Sequence, residues 1–287
     1  MPLMSRLFAT VLATALPLSA AAQETLYFSA IPDEDETRLV ERFTAVAEYL
    51  SEELDVPVEF VPVKSYPAAV TAFRNDQVQL AWFGGLSGVQ ARLLVDGARA
   101  IAQGDEDTTF VSYFIAHTDT GLTESEAFPE AARGMSFTFG AKTSTSGRLM
   151  PEFAIRENTG EAPEEFFDRV GFSGDHSQTL RLVASGAWQV GALNYTVYDQ
   201  AVADNAPEVE TAKVIWKTPP YPDYNWTIRG DVDARWGEGF ADKVQAALIG
   251  MNDPDLLAAF PRNAFIPAAN EDYAPIEQVA RDLDLLE

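Results

Sequence analysis

Three consecutive hydroxyl side chains, Ser144-Thr145-Ser146, precede Gly147 and a stretch with helical spacing from Arg148 to about Asn158. O–H donors set beside the free N–H groups of a helix's first turn make a seat for an anion. The same residues read equally well as ordinary helix capping. They are not a phosphate-binding P-loop, because no Gly-Lys-Ser/Thr follows. His176, in Gly171-Phe-Ser-Gly-Asp-His-Ser-Gln178, stands just before another helical stretch and can donate to an anion from a loop. A surface or capping role fits it too. Asp223 lies in Pro219-Pro-Tyr-Pro-Asp-Tyr-Asn-Trp226, where a turn-forming role competes with a ligand-facing one. Tyr66 offers a hydroxyl at a helix start or a ring to the core. Trp82-Phe83-Gly84-Gly85 ends an apolar run, and its glycines let backbone approach a ligand closely. With two histidines and no cysteine, disulfides, thiolate chemistry and a His-rich metal site drop out. No metal and no cofactor is expected.

These residues need a scaffold that brings them together. Thr25–Ile31 reads as a strand, followed by apolar residues at helical spacing from Leu39 to Leu54. Val56–Val63 is extended, Ala68–Arg74 helical and Gln79–Phe83 a strand, and a helix then runs to about Leu94. This β-α alternation argues a largely parallel sheet covered by helices on both faces. Ala98–Ala102 and Phe110–His117 are further strands, the second a candidate crossing into a new block. That block begins with the strand Met135–Gly140 and continues through helix 179–184, strand 190–194, helix 195–202 and strand 214–216. The prolines at 219, 220 and 222 mark the return crossing. Trp226–Arg229 is then a strand of the first block, with helices at 240–251, 255–260 and 276–286 packing on it. The expected organisation is lobe 1 from 23–118 and 222–287, lobe 2 from 119–221, and a ligand cleft at the hinge between them.

The N-terminus has the marks of a secretory signal peptide spanning 1–22: Arg6, the apolar run Leu7–Leu16, and small residues ending at Ala22. A periplasmic or secreted mature protein is the expectation. The rest is long enough for one large domain or two ordinary ones. The whole chain carries a net charge of −24. Nucleic acid and anionic membrane surfaces are poor partners for it. A closed cleft can still bind an anion through aimed N–H and O–H dipoles.

Taken together, the segments resemble one family, the periplasmic phosphonate- and phosphite-binding proteins of ABC importers. The resemblance rests on Leu80-Ala-Trp-Phe-Gly84, Ser144-Thr-Ser-Gly147, Phe172-Ser-Gly-Asp-His176, Gly191-Ala-Leu-Asn194 and Ile215-Trp-Lys-Thr-Pro-Pro-Tyr-Pro-Asp223, spread over the mature chain. It implies an α/β type II periplasmic-binding fold, two α/β lobes joined by a two-stranded hinge. It implies that Ser144, Thr145 and Ser146 hold the oxyanion, with His176, Asp223 and Tyr66 as further contacts. Phe83 and Gly84 complete the candidate ligand-binding set. Two departures bear on the ligand. Leu86-Ser87-Gly88 stands where an aromatic is expected after Trp-Phe-Gly. Tyr195-Thr-Val-Tyr198 has no acid where aminoalkylphosphonate binders carry a glutamate, which favours an inorganic or very small ligand.

The implied function is a non-enzymatic substrate-binding component, a monomer that captures a small tetrahedral oxyanion and delivers it to an ABC membrane permease. The chain also looks close to a branch labelled as putative selenate-transport binding proteins, so selenate or selenite is the alternative ligand. A secreted phosphoester or phosphonate hydrolase is the alternative of another class. It would need a nucleophile elbow or a metal-ligand cluster, and neither pattern is present in the sequence. A ligand-reporting subunit of a membrane sensor would read the same way.

Overall fold

The computed structural model describes residues 23–34 and 36–286. The signal-peptide segment 1–22 lies outside them. No helix among the described residues is long and apolar enough to cross a membrane.

The chain opens with β1 (Leu26–Ala30), α1 (Glu36–Leu54), β2 (Val58–Phe60), α2 (Tyr66–Arg74), β3 (Leu80–Phe83), α3 (Gly85–Leu94) and β4 (Arg99–Gly104). It then leaves for a second block: β5 (Ser112–His117), β6 (Ser136–Phe139), α4 (Met150–Thr159), α5 (Pro163–Phe166), β7 (Arg169–Phe172), α6 (His176–Ala184), β8 (Val190–Asn194), α7 (Tyr195–Ala203), α8 (Glu208–Thr211) and β9 (Ala212–Lys217). It returns through β10 (Asn225–Ile228), α9 (Val232–Trp236), α10 (Phe240–Gly250), α11 (Pro254–Ala259), β11 (Phe265–Pro267) and α12 (Ala274–Asp282). The first sheet runs β2-β1-β3-β10-β4-β11 and the second β7-β6-β8-β5-β9. Each is the centre of one lobe, so the expected α/β fold of two lobes is what the chain adopts.

β1 pairs in parallel with β2 and β3, and β6 in parallel with β7 and β8. The exceptions are the short edge strand β11, antiparallel to β4, and the strands that follow a crossing. β5 is antiparallel to both β8 and β9, and β10 is antiparallel to both β3 and β4. A strand arriving from the other lobe enters its sheet from the opposite end, which reverses its sense. β5 therefore belongs to the second sheet, six residues that the reading of the sequence had placed in lobe 1. The boundary falls near Phe110, not at 118. There Phe110 and Tyr221 exchange two backbone hydrogen bonds of 2.9 Å. Ser112 and Thr218 add two more, and Asp223 N–H donates to the Asp107 carbonyl at 3.0 Å. The two crossing segments form a short antiparallel ribbon.

The cores follow from the apolar spacing. Phe43, Val46, Leu50 and Leu54 of α1 are buried together with Phe28, Trp82 and Trp226 of the first sheet. In the second lobe Phe114, Phe137, Phe139, Phe166 and Trp216 fill one face, and Ile115, Leu180, Val183 and Leu193 the other. Burying aromatics of this size is the main stabilising term, since each removes a large apolar area from water. At the ribbon, Asp107 and Arg262 form a buried bidentate pair at 2.6 and 2.9 Å. Burial alone would raise the Asp107 carboxyl, and Arg262 opposes that rise.

Candidate functional site

The parallel strands end facing the gap between the sheets, where open α/β sheets place ligands. Each end hands over to a helix start. β3 leads through Gly84 to α3, β6 leads through 140–144 to the turn at Thr145, and β8 ends at Asn194, where α7 begins. Ser65, at the entrance of α2, accepts from Ala68 N–H, and Asp175 accepts from Gln178 N–H at 2.6 Å before α6. Several helix starts are thus capped by short polar side chains at the strand ends.

The Ser-Thr-Ser segment is more helical than the sequence suggests. Instead of a loop ending at Arg148, a wide π-type turn spans Thr145–Leu149 and runs into α4. Ser144 is its cap, its Oγ accepting from Gly147 N–H at 3.0 Å. Thr145 reaches across the cleft: Leu86 N–H donates to its Oγ1 at 3.0 Å, and its hydroxyl serves the Asp223 carboxylate. Ser146 Oγ is buried beside the Tyr221 hydroxyl and makes no hydrogen bond of regular geometry within the protein. Three adjacent hydroxyls therefore have three different tasks: cap, cross-lobe contact and free donor.

His176 opens α6 and is fully buried. Its Nδ1 accepts the backbone N–H of Asn194 at 3.2 Å. A nitrogen that accepts carries no proton, so in the neutral ring the proton sits on Nε2. Burial lowers the imidazole pKa to about 3, which keeps the ring neutral. Nε2 is buried and without a protein partner. It is an N–H donor awaiting an acceptor.

Asp223 ends the return segment. Its Oδ1 accepts from Gly85 N–H at 2.8 Å, while Oδ2 is buried without a partner. Burial pushes its pKa up to about 7, against the lowering effect of Gly85 N–H and Thr145. Tyr66 begins α2, its hydroxyl buried beside Ser144 without a hydrogen bond of regular geometry, and its pKa is raised well above the usual value, by burial first and Asp33 second. Gly84 fits between the lobes: a methyl there would lie 3.2 Å from both Asp223 Oδ1 and Thr145 Oγ1. Phe83 is next in the chain, but its ring packs edge-on against Phe73, 5.7 Å away, inside the first core. Leu86, in place of the expected aromatic, contributes its backbone N–H to Thr145.

Asp33 was missed. The sequence marks it as part of a turn after β1, yet it is 3 % exposed and close to Tyr66 and Tyr224. Its Oδ2 accepts the Tyr224 hydroxyl at 2.7 Å, and its Oδ1 has no partner. Burial, then Glu34, raise its pKa to about 6. The available signal was position: Asp33 follows β1 as Gly84 follows β3, at the ligand end of a parallel strand.

Tyr66 Oη, Ser146 Oγ and His176 Nε2 can supply donors, and Asp223 Oδ2 an acceptor, from four separate elements. An open cavity of about 560 Å³ lies between the lobes and is lined in part by Tyr66. No metal-ligating cluster of three or more His, Cys, Asp or Glu occurs among the described residues. The arrangement can hold a small anion that also offers one proton to a carboxylate.

Comparison with known proteins bears on the family of the chain. The chain is 37 % identical, over 91 % of its own length and 90 % of the relative's, to a protein of Prochlorococcus marinus (strain MIT 9301) named probable ABC transporter phosphite binding protein PhnD1. The solved structure of PhnD1 in complex with methylphosphonate superposes with a TM-score of 0.87, covering 91 % of this chain and 98 % of that one. The phosphonates-binding periplasmic protein of Escherichia coli (strain K12) is 26 % identical, over 72 % of this chain and 61 % of its own length. A binding-protein component of an ABC phosphonate transporter from Pseudomonas aeruginosa shares the fold, with a TM-score of 0.78 at 21 % identity over 90 % of this chain and 85 % of that one. The family model described as ABC transporter, phosphonate, periplasmic substrate-binding protein matches residues 28–273, and the chain belongs to that family.

Proposed function

We propose that this protein captures a small, partly protonated tetrahedral oxyanion, phosphite or methylphosphonate in type, between its lobes and delivers it to an ABC membrane permease. The observation that carries the reading is the set of four buried polar atoms, on Tyr66, Ser146, His176 and Asp223, that make no hydrogen bond of regular geometry within the protein. Leaving such groups unpaired is costly, and an anion with one proton pairs all of them at once. The relative named as a phosphite-binding protein, and its structure with methylphosphonate, support the same ligand class. Tyr195 supports a small ligand over an aminoalkylphosphonate: its hydroxyl donates to Glu106 across the cleft at 3.0 Å, and it brings no carboxylate for an amine. In this reading the chain is secreted to the periplasm, cleaved after Ala22, works as a monomer and performs no catalysis.

A thermal-shift panel tests the proposal. Phosphite, methylphosphonate, aminoethylphosphonate, phosphate, sulfate, selenate and selenite are compared at equal concentration, since a ligand of the folded state raises the melting temperature by mass action. Phosphite or methylphosphonate should give the largest shift. A larger shift with selenate or sulfate would overturn the ligand assignment. Turnover of a chromogenic phosphate ester would overturn the non-enzymatic one.

A further inference from the structure

Four hydrogen bonds run in a ring through Asp33, His176, Asn194 and Tyr224. His176 N–H donates to the Asp33 carbonyl at 3.1 Å. Asn194 N–H donates to His176 Nδ1 at 3.2 Å, and Asn194 Nδ2 donates to the Tyr224 hydroxyl at 3.0 Å. Tyr224 closes the ring by donating to Asp33 Oδ2 at 2.7 Å. All four residues are buried. The directions are mutually fixed. Asn194 Oδ1 accepts both the N–H and the hydroxyl of Thr196, so its NH₂ must face Tyr224. Tyr224 therefore receives a proton from Asn194 and spends its own on Asp33.

Asp33 follows β1 and Tyr224 precedes β10, stacked on Trp82 of β3, so both belong to the first lobe. His176 opens α6 and Asn194 ends β8, so both belong to the second. Two of the four bonds stay within a lobe. The other two, His176 to Asp33 and Asn194 to Tyr224, cross the cleft and exist only when the lobes meet. The ring uses the backbone N–H and Nδ1 of His176 and leaves Nε2 for a ligand.

The geometry points to Asp33, Asn194 and Tyr224 as positioning residues that latch the lobes shut and, in the same act, hold the His176 imidazole on the anion. The inference rests on the reading of His176 as an anion donor. A latch of this kind raises the closed fraction of the protein, and apparent affinity rises in proportion to that fraction. Because it does not touch the ligand, it acts on every anion alike. It slows escape by holding the loaded protein closed, and it leaves entry nearly unchanged as long as the ligand-free protein is mostly open.

The test measures association and dissociation rates of phosphite and methylphosphonate for the wild type, Tyr224→Phe, Asp33→Ala and Asp33→Asn. Tyr224→Phe and Asp33→Ala should dissociate about tenfold faster for both anions, with association within about twofold of wild type. Asp33→Asn should restore slow dissociation, because its amide oxygen still accepts from Tyr224. Unchanged dissociation in Tyr224→Phe and Asp33→Ala would overturn the latch. So would a loss that differs severalfold between the anions, since Asp33 would then be touching the ligand through Oδ1. If the wild type binds neither anion, the ligand reading fails and the latch is judged by inter-lobe distance in the ligand-free protein. Wild type and Asp33→Asn should then be more closed than Asp33→Ala and Tyr224→Phe, and equal distances in all four would overturn it.

Discussion

Asn194 and His176 are joined by one hydrogen bond, from the backbone N–H of the first to Nδ1 of the second, and that bond decides which ring nitrogen is left to a ligand. No side-chain substitution at Asn194 removes the donor, since it is backbone. Replacing the imidazole does remove the reader. His176→Ala should weaken phosphite binding by well over tenfold, as a hydrogen bond to a charged ligand is worth roughly 1.5–3 kcal/mol. It should also lower the stability of the ligand-free protein, because Asn194 N–H loses its acceptor in a buried place. Calorimetric titration and urea denaturation measure the two effects separately.

The hydroxyls of Ser146 and Thr145 should separate in their effects. Ser146 Oγ makes no hydrogen bond of regular geometry within the protein, so Ser146→Ala should weaken anion binding about tenfold or more while leaving ligand-free stability nearly unchanged. Thr145→Ala strips Leu86 N–H of its acceptor and Asp223 of a donor, so both affinity and stability should fall. Paired titration and denaturation curves distinguish them. Equal stability losses in the two variants would contradict the division of labour.

Gly84→Ala should prop the cleft. Its methyl would meet Asp223 Oδ1 and Thr145 Oγ1 at 3.2 Å, contacts tight enough that the neighbours must give. One belongs to the return segment and the other to the second lobe, so separation of the lobes relieves the crowding. Weaker binding of every anion, by about tenfold, with melting of the ligand-free protein little changed, is the expected outcome in a thermal-shift titration.

Asp223→Asn should stabilise the ligand-free protein, and more so at alkaline pH. The folded pKa of about 7 stands above the ordinary aspartate value of 3.8, so the native state keeps the proton through a window in which the unfolded state has lost it. The burial penalty is absent below the lower value, grows through the window and is complete above the upper one. The amide never incurs it, and its oxygen still accepts from Gly85 N–H. Urea denaturation should show a gain on the order of 2 kcal/mol near pH 8 that shrinks toward pH 4–5. A gain that grows on acidification would refute the sign.

The same substitution should change which anion is accepted. A dianion facing Asp223 meets repulsion in a cleft of low dielectric, whereas an anion that keeps a proton donates to the carboxylate. At pH 8, where the Asp223 carboxyl is mainly ionised, the wild type should prefer phosphite to selenate. Asp223→Asn should weaken phosphite and relax the exclusion of selenate and sulfate. Tighter wild-type binding of selenate than of phosphite would count against the whole account of the site.

Much of this was legible in the residues. Ser144–Ser146, His176 and Tyr66 stand out at helix starts and Asp223 in a proline-rich return segment, but capping, turn or core roles fitted each of them, and it was the family resemblance that joined them into one site. The helical spacing of α1 and the strand at Val190–Asn194 needed no structure to find. The sheet membership of β5 did. A buried strand such as Ser112–His117 has the same apolar character in either lobe, and pairing with β8 and β9 is decided by residues 70 or more positions away. β11, three residues long, is held by β4 and has no periodicity to read. Asp33 was hidden because Pro-Asp before a helix is an ordinary turn, and only the fold brings it to Tyr224 and His176. Thr145 likewise looked like one of three equal hydroxyls until Leu86 was placed against it.

The neutral imidazole of His176 has a consequence for proton traffic. In the ligand-free protein its pKa is held near 3, so at any pH well above that value the ring receives cargo without a charge of its own. The incoming anion is met first by dipoles of fixed orientation instead of by a cation that must first be made, and the anion itself, once seated, favours a proton on the ring.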